Sequence, residues 1–265
     1  MPPRPHCLPP CPAPLVSTQG DLRTLAFAPG DVQSEMLLSD PTRLVLAYCR
    51  AIMCFALFVP RPRHIVMVGL GGGSLVKFCY RHFPESRITV IELRADVIAL
   101  REQFAVPPDD ARLRVVHADA TDYLAHCTGE ADVLIIDGFD RAGLPAALGS
   151  ARFYGHCRRA LADGGVLVAN IVSYDPHYPG MLARLALMFD NRVCRFAGAA
   201  GNNHILFAVK AALGPRRAAR AVRLQRWVAR ANGLGKGGFN RMLAHAVVLW
   251  LVQRKARRKT TIFPE

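Results

Sequence analysis

The segment His64-Ile65-Val66-Met67-Val68-Gly69-Leu70-Gly71-Gly72-Gly73-Ser74 carries the strongest structural signal in the chain. Residues 64–68 run without polar alternation, as expected of a parallel strand buried on both faces. The glycines after them permit a tight turn and a close backbone approach to a ligand. Helical patterning from Ser74 to His82 then presents helix amides to the same place. Glycines alone say little, but strand, glycine loop and helix in that order describe a nucleotide-like binding site.

Working outward, strands and helices alternate. Ile88 to Glu92, Leu113 to His117, Ala131 to Ile136 and Gly165 to Asn170 read as strands. Ala95 to Phe104, Thr121 to Cys127 and Arg152 to Leu161 read as the helices between them. Five such strands predict an α/β fold with a doubly wound parallel sheet. A helix from Met181 to Phe189 and two closing strands, Arg192 to Phe196 and His204 to Val209, complete a catalytic domain over residues 61–209. Upstream, Leu22 to Phe27 and Val32 to Leu37 flank Pro29-Gly30-Asp31 and predict a short β-hairpin. Asp40 is placed to cap a helix starting at Pro41 and running to Phe58, so hairpin and helix occupy residues 21–60. Seven prolines fall in the first fourteen residues, and residues 1–20 are expected to form a disordered leader.

The formal charge of +14 is unevenly placed: residues 210–265 hold 14 Lys/Arg and one acid, leaving 20 basic against 19 acidic residues before them. The body is nearly neutral and carries a basic helical tail. Arg220, Arg223, Trp227 and Arg230 would share one helical stripe there, suited to nucleic acid or anionic membrane, although a solvated helix or a dimer contact has the same composition. Eight cysteines show no C-x-x-C pair and sit mostly in apolar stretches, which favours a reduced, cytoplasmic setting. Cys7 and Cys11 with His6 lack a second ligand pair, so no metal is expected. The apolar runs Leu44 to Val59 and Met242 to Val252 are too short for a membrane span of about 20 residues. The second is expected to be a packing helix.

In an open α/β sheet ligands lie beyond the carboxyl ends of the strands. Glu92 ends the second strand about twenty residues after the glycines, where an acid accepts from ribose hydroxyls. Asp119 follows the third strand and can accept from an exocyclic amine or cap a helix. Asp137 ends the most apolar strand, and Asp140 brings a second acid. Paired carboxylates suit binding and deprotonating an amine, which is cationic at neutral pH and must lose a proton to attack carbon.

With these residues in place the chain resembles the spermidine synthase family of polyamine aminopropyltransferases over about residues 30–209. The resemblance implies a Rossmann-like, class I methyltransferase-type sheet. The family's glycine loop falls on Gly69, Gly71 and Gly73, its ribose-binding acid on Glu92, and its adenine-contacting pair on Asp119 and Ala120. Its catalytic loop falls on Asp137-Gly138-Phe139-Asp140, with Asp137 as proton acceptor. The family's loop aspartate is Gly72 here, and its Tyr-Gln-Glu segment appears as Gln33-Ser34-Glu35, which makes Gln33 a donor-site candidate.

The activity that the resemblance implies is transfer of the aminopropyl group of decarboxylated S-adenosylmethionine to a small, putrescine-like amine. The co-substrate is consumed, and neither a tightly bound cofactor nor a metal is implied. A homodimer is expected. Two alternatives share the fold: an S-adenosylmethionine-dependent methyltransferase, and a non-catalytic nucleoside-binding protein whose basic tail contacts nucleic acid or membrane.

Overall fold

The computed structural model describes residues 12–138, 144–172, 174–200, 203–211 and 237–260. Asp140, Cys7, Cys11 and the arginine-tryptophan stripe at 220–230 lie outside the described residues.

Three strands come first: β1 (Leu15–Gln19), β2 (Leu22–Ala26) and β3 (Val32–Leu37), paired antiparallel in that order. The expected hairpin is β2 and β3. The leader expected over residues 1–20 is corrected at its end, because Leu15 lies opposite Ala26 and Gln19 opposite Leu22 across a turn at Gly20. The prolines stop at Pro14, and the β-forming Leu-Val-Ser-Thr run beyond them finds a partner. Helix α1 (Ala47–Ile52) begins six residues later than Pro41 and continues as a 3₁₀ turn, Met53–Leu57. Asp40 closes a local turn with Thr42 and Arg43 instead of capping. The Arg50 guanidinium takes the carbonyls of Leu44 and Val45, each at 2.6 Å, which holds the intervening backbone outside the helix.

Strands and helices then alternate: β4 (His64–Val68), α2 (Ser74–His82), β5 (Arg87–Glu92), α3 (Ala95–Ile98), β6 (Leu113–His117), α4 (Ala120–Ala125), β7 (Ala131–Ile136), α5 (Ala151–Ala160), β8 (Leu161–Val172), α6 (Tyr178–Met188), β9 (Val193–Ala200) and β10 (Asn203–Val209). The sheet order is β6-β5-β4-β7-β8-β10-β9, with β10 antiparallel between β8 and β9. The order in which strands are added reverses between the parallel neighbours β4 and β7. That crevice is the topological switch point where open sheets bind ligands. Helix α3 is shorter than the expected run to Phe104. The Lys77 ammonium, buried in α2, captures the Phe104 carbonyl at 2.6 Å, and Ala105 turns with φ 52°.

Strand alternation divides the core. Ile65, Met67, Val133, Ile135, Val166, Val168, Ile205 and Phe207 face the layer made with α1 and α2. Val66, Val68, Leu134, Ile136, Leu167 and Ala169 face the opposite layer, with Leu124, Phe153 and Leu185 of α4, α5 and α6. Each large apolar side chain among them contributes ~1.5–3 kcal/mol by burial. Helix α7 (Gly237–Thr260) joins the first layer through Ala244, Val247 and Leu251, spaced three and four apart. Arg254 anchors it by donating to the Pro60 carbonyl at 2.8 Å. No described helix is long and apolar enough to cross a membrane.

Candidate active site

Period-two alternation places four strand ends on one face. Gly69 continues the register of Ile65 and Met67, Glu92 that of Ile88 and Val90, Asp137 that of Val133 and Ile135, and Asn170 that of Val166 and Val168. All four therefore open toward the α1 and α2 side, at the carboxyl edge of the sheet.

The glycine loop needs its glycines for two separate reasons. Gly69, Gly71 and Gly73 have φ of 95°, 50° and 67°, in the left-handed region that side chains avoid. At Gly69 there is also no room, since a Cβ would stand 2.5 Å from the Asp137 carbonyl oxygen. Gly72 has ordinary φ but is covered: a Cβ would meet Ser34 Oγ at 2.6 Å and Phe104 at 2.8 Å. The hairpin thus lies directly on the loop, and Ser34 Oγ is 3.3 Å from Ser74 Oγ.

Glu92 is buried and holds that loop from the other side. One carboxylate oxygen accepts from the Leu70 amide at 2.7 Å and the other from the Arg94 amide at 2.8 Å. Each oxygen keeps a second acceptor direction for a ligand hydroxyl. Asp119 caps α4, accepting from the Thr121 amide at 2.6 Å, and its exposed carboxylate stands at the β6 end. Ala120 is the buried first residue of that helix. The Gln33 side chain donates to Asp31, while its main-chain carbonyl accepts from the Tyr48 hydroxyl at 3.3 Å.

Asp137 lies against the loop, its amide donating to the Val68 carbonyl at 2.9 Å. Burial pushes its carboxyl up to about 7, and a hydrogen bond from Asn170 Nδ2 at 2.8 Å opposes the rise. Asn203 Nδ2 in turn donates to Asn170 Oδ1 at 2.8 Å. From α1, Tyr48 is driven well above its ordinary value by burial first and then by the charges of Asp137 and Glu35. Sequence reasoning misses Asn170, Asn203 and Tyr48. Asn170 is the polar residue that interrupts an apolar strand near its carboxyl end, two residues before β8 stops at Val172, and that is its signal. Asn203 and Tyr48 arrive by pairing and packing that no local pattern announces.

A sheet of this order, with a glycine loop at its switch point and acids along its carboxyl edge, defines a class I methyltransferase-type α/β protein. Within that class the chain belongs to the spermine/spermidine synthase family, whose spermine/spermidine synthase domain model matches residues 45–179. A polyamine aminopropyltransferase of Chromobacterium violaceum is 35% identical over 196 residues, 74% of this chain and 75% of that protein. Among solved structures, a probable spermidine synthase from Corynebacterium glutamicum superposes with a TM-score of 0.66 at 24% identity, covering 79% of this chain and 82% of the other. Human methyltransferase-like protein 13, in complex with SAH, superposes at 0.52 with 25% identity, covering 69% and 89%.

Proposed function

We propose that the protein is an aminopropyltransferase that moves the aminopropyl group of decarboxylated S-adenosylmethionine to a small diamine such as putrescine. The observation that carries this reading is Asp137, a buried carboxylate lifted to about 7 and held against the glycine loop. An alkyl ammonium near ~10.4 gives its proton to an ordinary carboxylate of 3.8 at a cost of ~9 kcal/mol; a carboxylate at about 7 reduces that to ~5 kcal/mol.

In the proposed reaction the glycine loop and Glu92 hold the adenosine end of the donor, with Asp119 and Ala120 at the base and Gln33 beside the donor chain. Asp137 takes a proton from the amine. The amine lone pair then forms a bond to the methylene carbon next to the sulfonium, the carbon–sulfur bond breaks with its electrons passing to sulfur, and methylthioadenosine leaves. Asp140 is assigned to hold the second ammonium of the diamine. One chain carries all of these groups, so neither the expected homodimer nor a contact of the basic tail with nucleic acid or membrane is needed for the transfer.

The covered Gly72, with no acid in the loop, favours a second reading in which intact S-adenosylmethionine is the donor of a methyl group. Purified protein supplied with either donor and a panel of diamines separates the two. Methylthioadenosine release with the decarboxylated donor is expected. Its absence across the panel, with S-adenosylhomocysteine formed from the intact donor, would reverse the assignment.

A further inference from the structure

Asn170 is 2% exposed among apolar strands, where an unpaired amide is strongly disfavoured. Its two polar atoms are both satisfied, and by residues on different strands. Ile136 pairs with Ala169, so Asp137 and Asn170 come next in register on β7 and β8. Ile205 pairs with Asn170 and Asn203 with Val172, which places Asn203 diagonally across from Asn170 on the same face.

The chemistry fixes the direction of the chain of bonds. A carboxylate only accepts, so Asn170 must present Nδ2 to Asp137, and this turns its Oδ1 toward β10. Covalent geometry does not favour that orientation over its reverse. The carboxylate does, and Asn203 Nδ2 at 2.8 Å meets the oxygen that this leaves; a flipped Asn170 would set an oxygen against the carboxylate.

We infer that Asn170 and Asn203 are positioning residues, a two-amide relay that holds Oδ1 of Asp137 and leaves Oδ2 for the proton of the incoming amine. The inference rests on the reading of Asp137 as the base. It assigns a role to β10, the antiparallel neighbour of β8, which otherwise contributes only packing to the site. Among the described residues, the titratable groups facing Asp137 are Tyr48 and Cys49 on α1, with Arg50 acting on Cys49 and Glu35 of β3 acting on Tyr48. Burial keeps Tyr48 and Cys49 protonated at neutral pH, so among the described residues the hydrogen bond from Asn170 is what lowers the carboxylate against its burial.

The test is a carboxyl-carbon NMR titration of Asp137 in the full chain, with the resonance assigned by its loss in Asp137→Asn. Asn170→Ala removes the donor, and its Asp137 midpoint should rise by about one pH unit. Asn203→Ala leaves the donor in place but unlocks it, and should move the midpoint in the same direction by less. Asn203→Ser restores a donor and should return it toward wild type. The two alanine changes together should equal Asn170→Ala alone. A purely structural role would lower the unfolding midpoint of these variants while Asp137 titrates as in wild type, and that result overturns the relay. The pH profile of methylthioadenosine release, followed in parallel, decides the other question: turnover retained by Asp137→Asn removes the base assignment, whatever the titration shows.

Discussion

Asp137 meets opposite demands at a single residue. Its carboxyl is raised from 3.8 to about 7 by burial, so the folded protein holds a proton that the unfolded chain has already released between those values. The sign follows from linkage: this group's stabilising contribution is complete below about pH 4 and is lost as pH rises through about 7. At pH 8 the ionised, desolvated carboxylate therefore destabilises the fold by roughly 2–4 kcal/mol. Asp137→Asn should lower aminopropyl transfer ~10²–10⁴-fold, the worth of a positioned base. In urea unfolding at pH 8 the same variant should be more stable than wild type, and the difference should vanish near pH 4. A variant that is both inactive and less stable at pH 8 would mean the carboxylate is better solvated than its surroundings imply. For wild type, kcat/KM should rise with pH through about 7 on its acidic limb.

At the scale of elements, the glycine loop separates conformation from space. Gly71 has positive φ, but a Cβ there would have its nearest neighbour, Ser34 Cβ, at 4.0 Å; Gly69 has positive φ and a backbone oxygen at 2.5 Å. Gly71→Ala should cost only the left-handed strain, about 1 kcal/mol, whereas Gly69→Ala must displace Asp137 as well and should cost several times more. Thermal unfolding of the two variants checks this, and equal losses would refute it. The need for glycine is legible in the sequence because strand, loop and helix succeed one another directly. The strands and the acid at each end are legible for the same reason, since burial on both faces leaves an unbroken apolar run that one charged residue terminates. Features that depend on long-range partners are not legible in this way. The start of α1 is set by Arg50 reaching back to Leu44 and Val45, the chain at Phe104 after α3 is held by Lys77 taking its carbonyl, and β1 exists because β2 offers it an edge. Asn203 reaches the site only because β10 runs antiparallel beside β8, a pairing that the order of strands along the chain does not specify.

Across the whole molecule, the free thiols set the alkaline limit. Cys49, Cys54, Cys79, Cys157 and Cys194 are buried and unbridged, and burial raises every one of them. In the unfolded chain these thiols ionise near 9, so each contributes stability that is complete below that pH and lost above it. At pH 10 the loss is ~1 kcal/mol per thiol, and on the order of 5 kcal/mol for the five. Lys77 acts in the opposite sense: burial lowers its ammonium from 10.5 to about 8, so releasing its proton stabilises the fold as pH rises from 8. Between pH 8 and 10 that gain is ~2 kcal/mol, smaller than what the thiols lose. Small domains have only about 5–15 kcal/mol in total, so the protein should weaken sharply above pH 9 while remaining in one reduced, unbridged state. Urea midpoints at pH 8, 9 and 10 under reducing conditions should fall progressively. Replacing Cys54 by alanine should flatten the fall by one thiol's share even as it lowers stability at pH 8 through the cavity it leaves. A midpoint constant from pH 8 to 10 would show that these thiols ionise as readily in the folded core as in water, which their burial against the central sheet forbids.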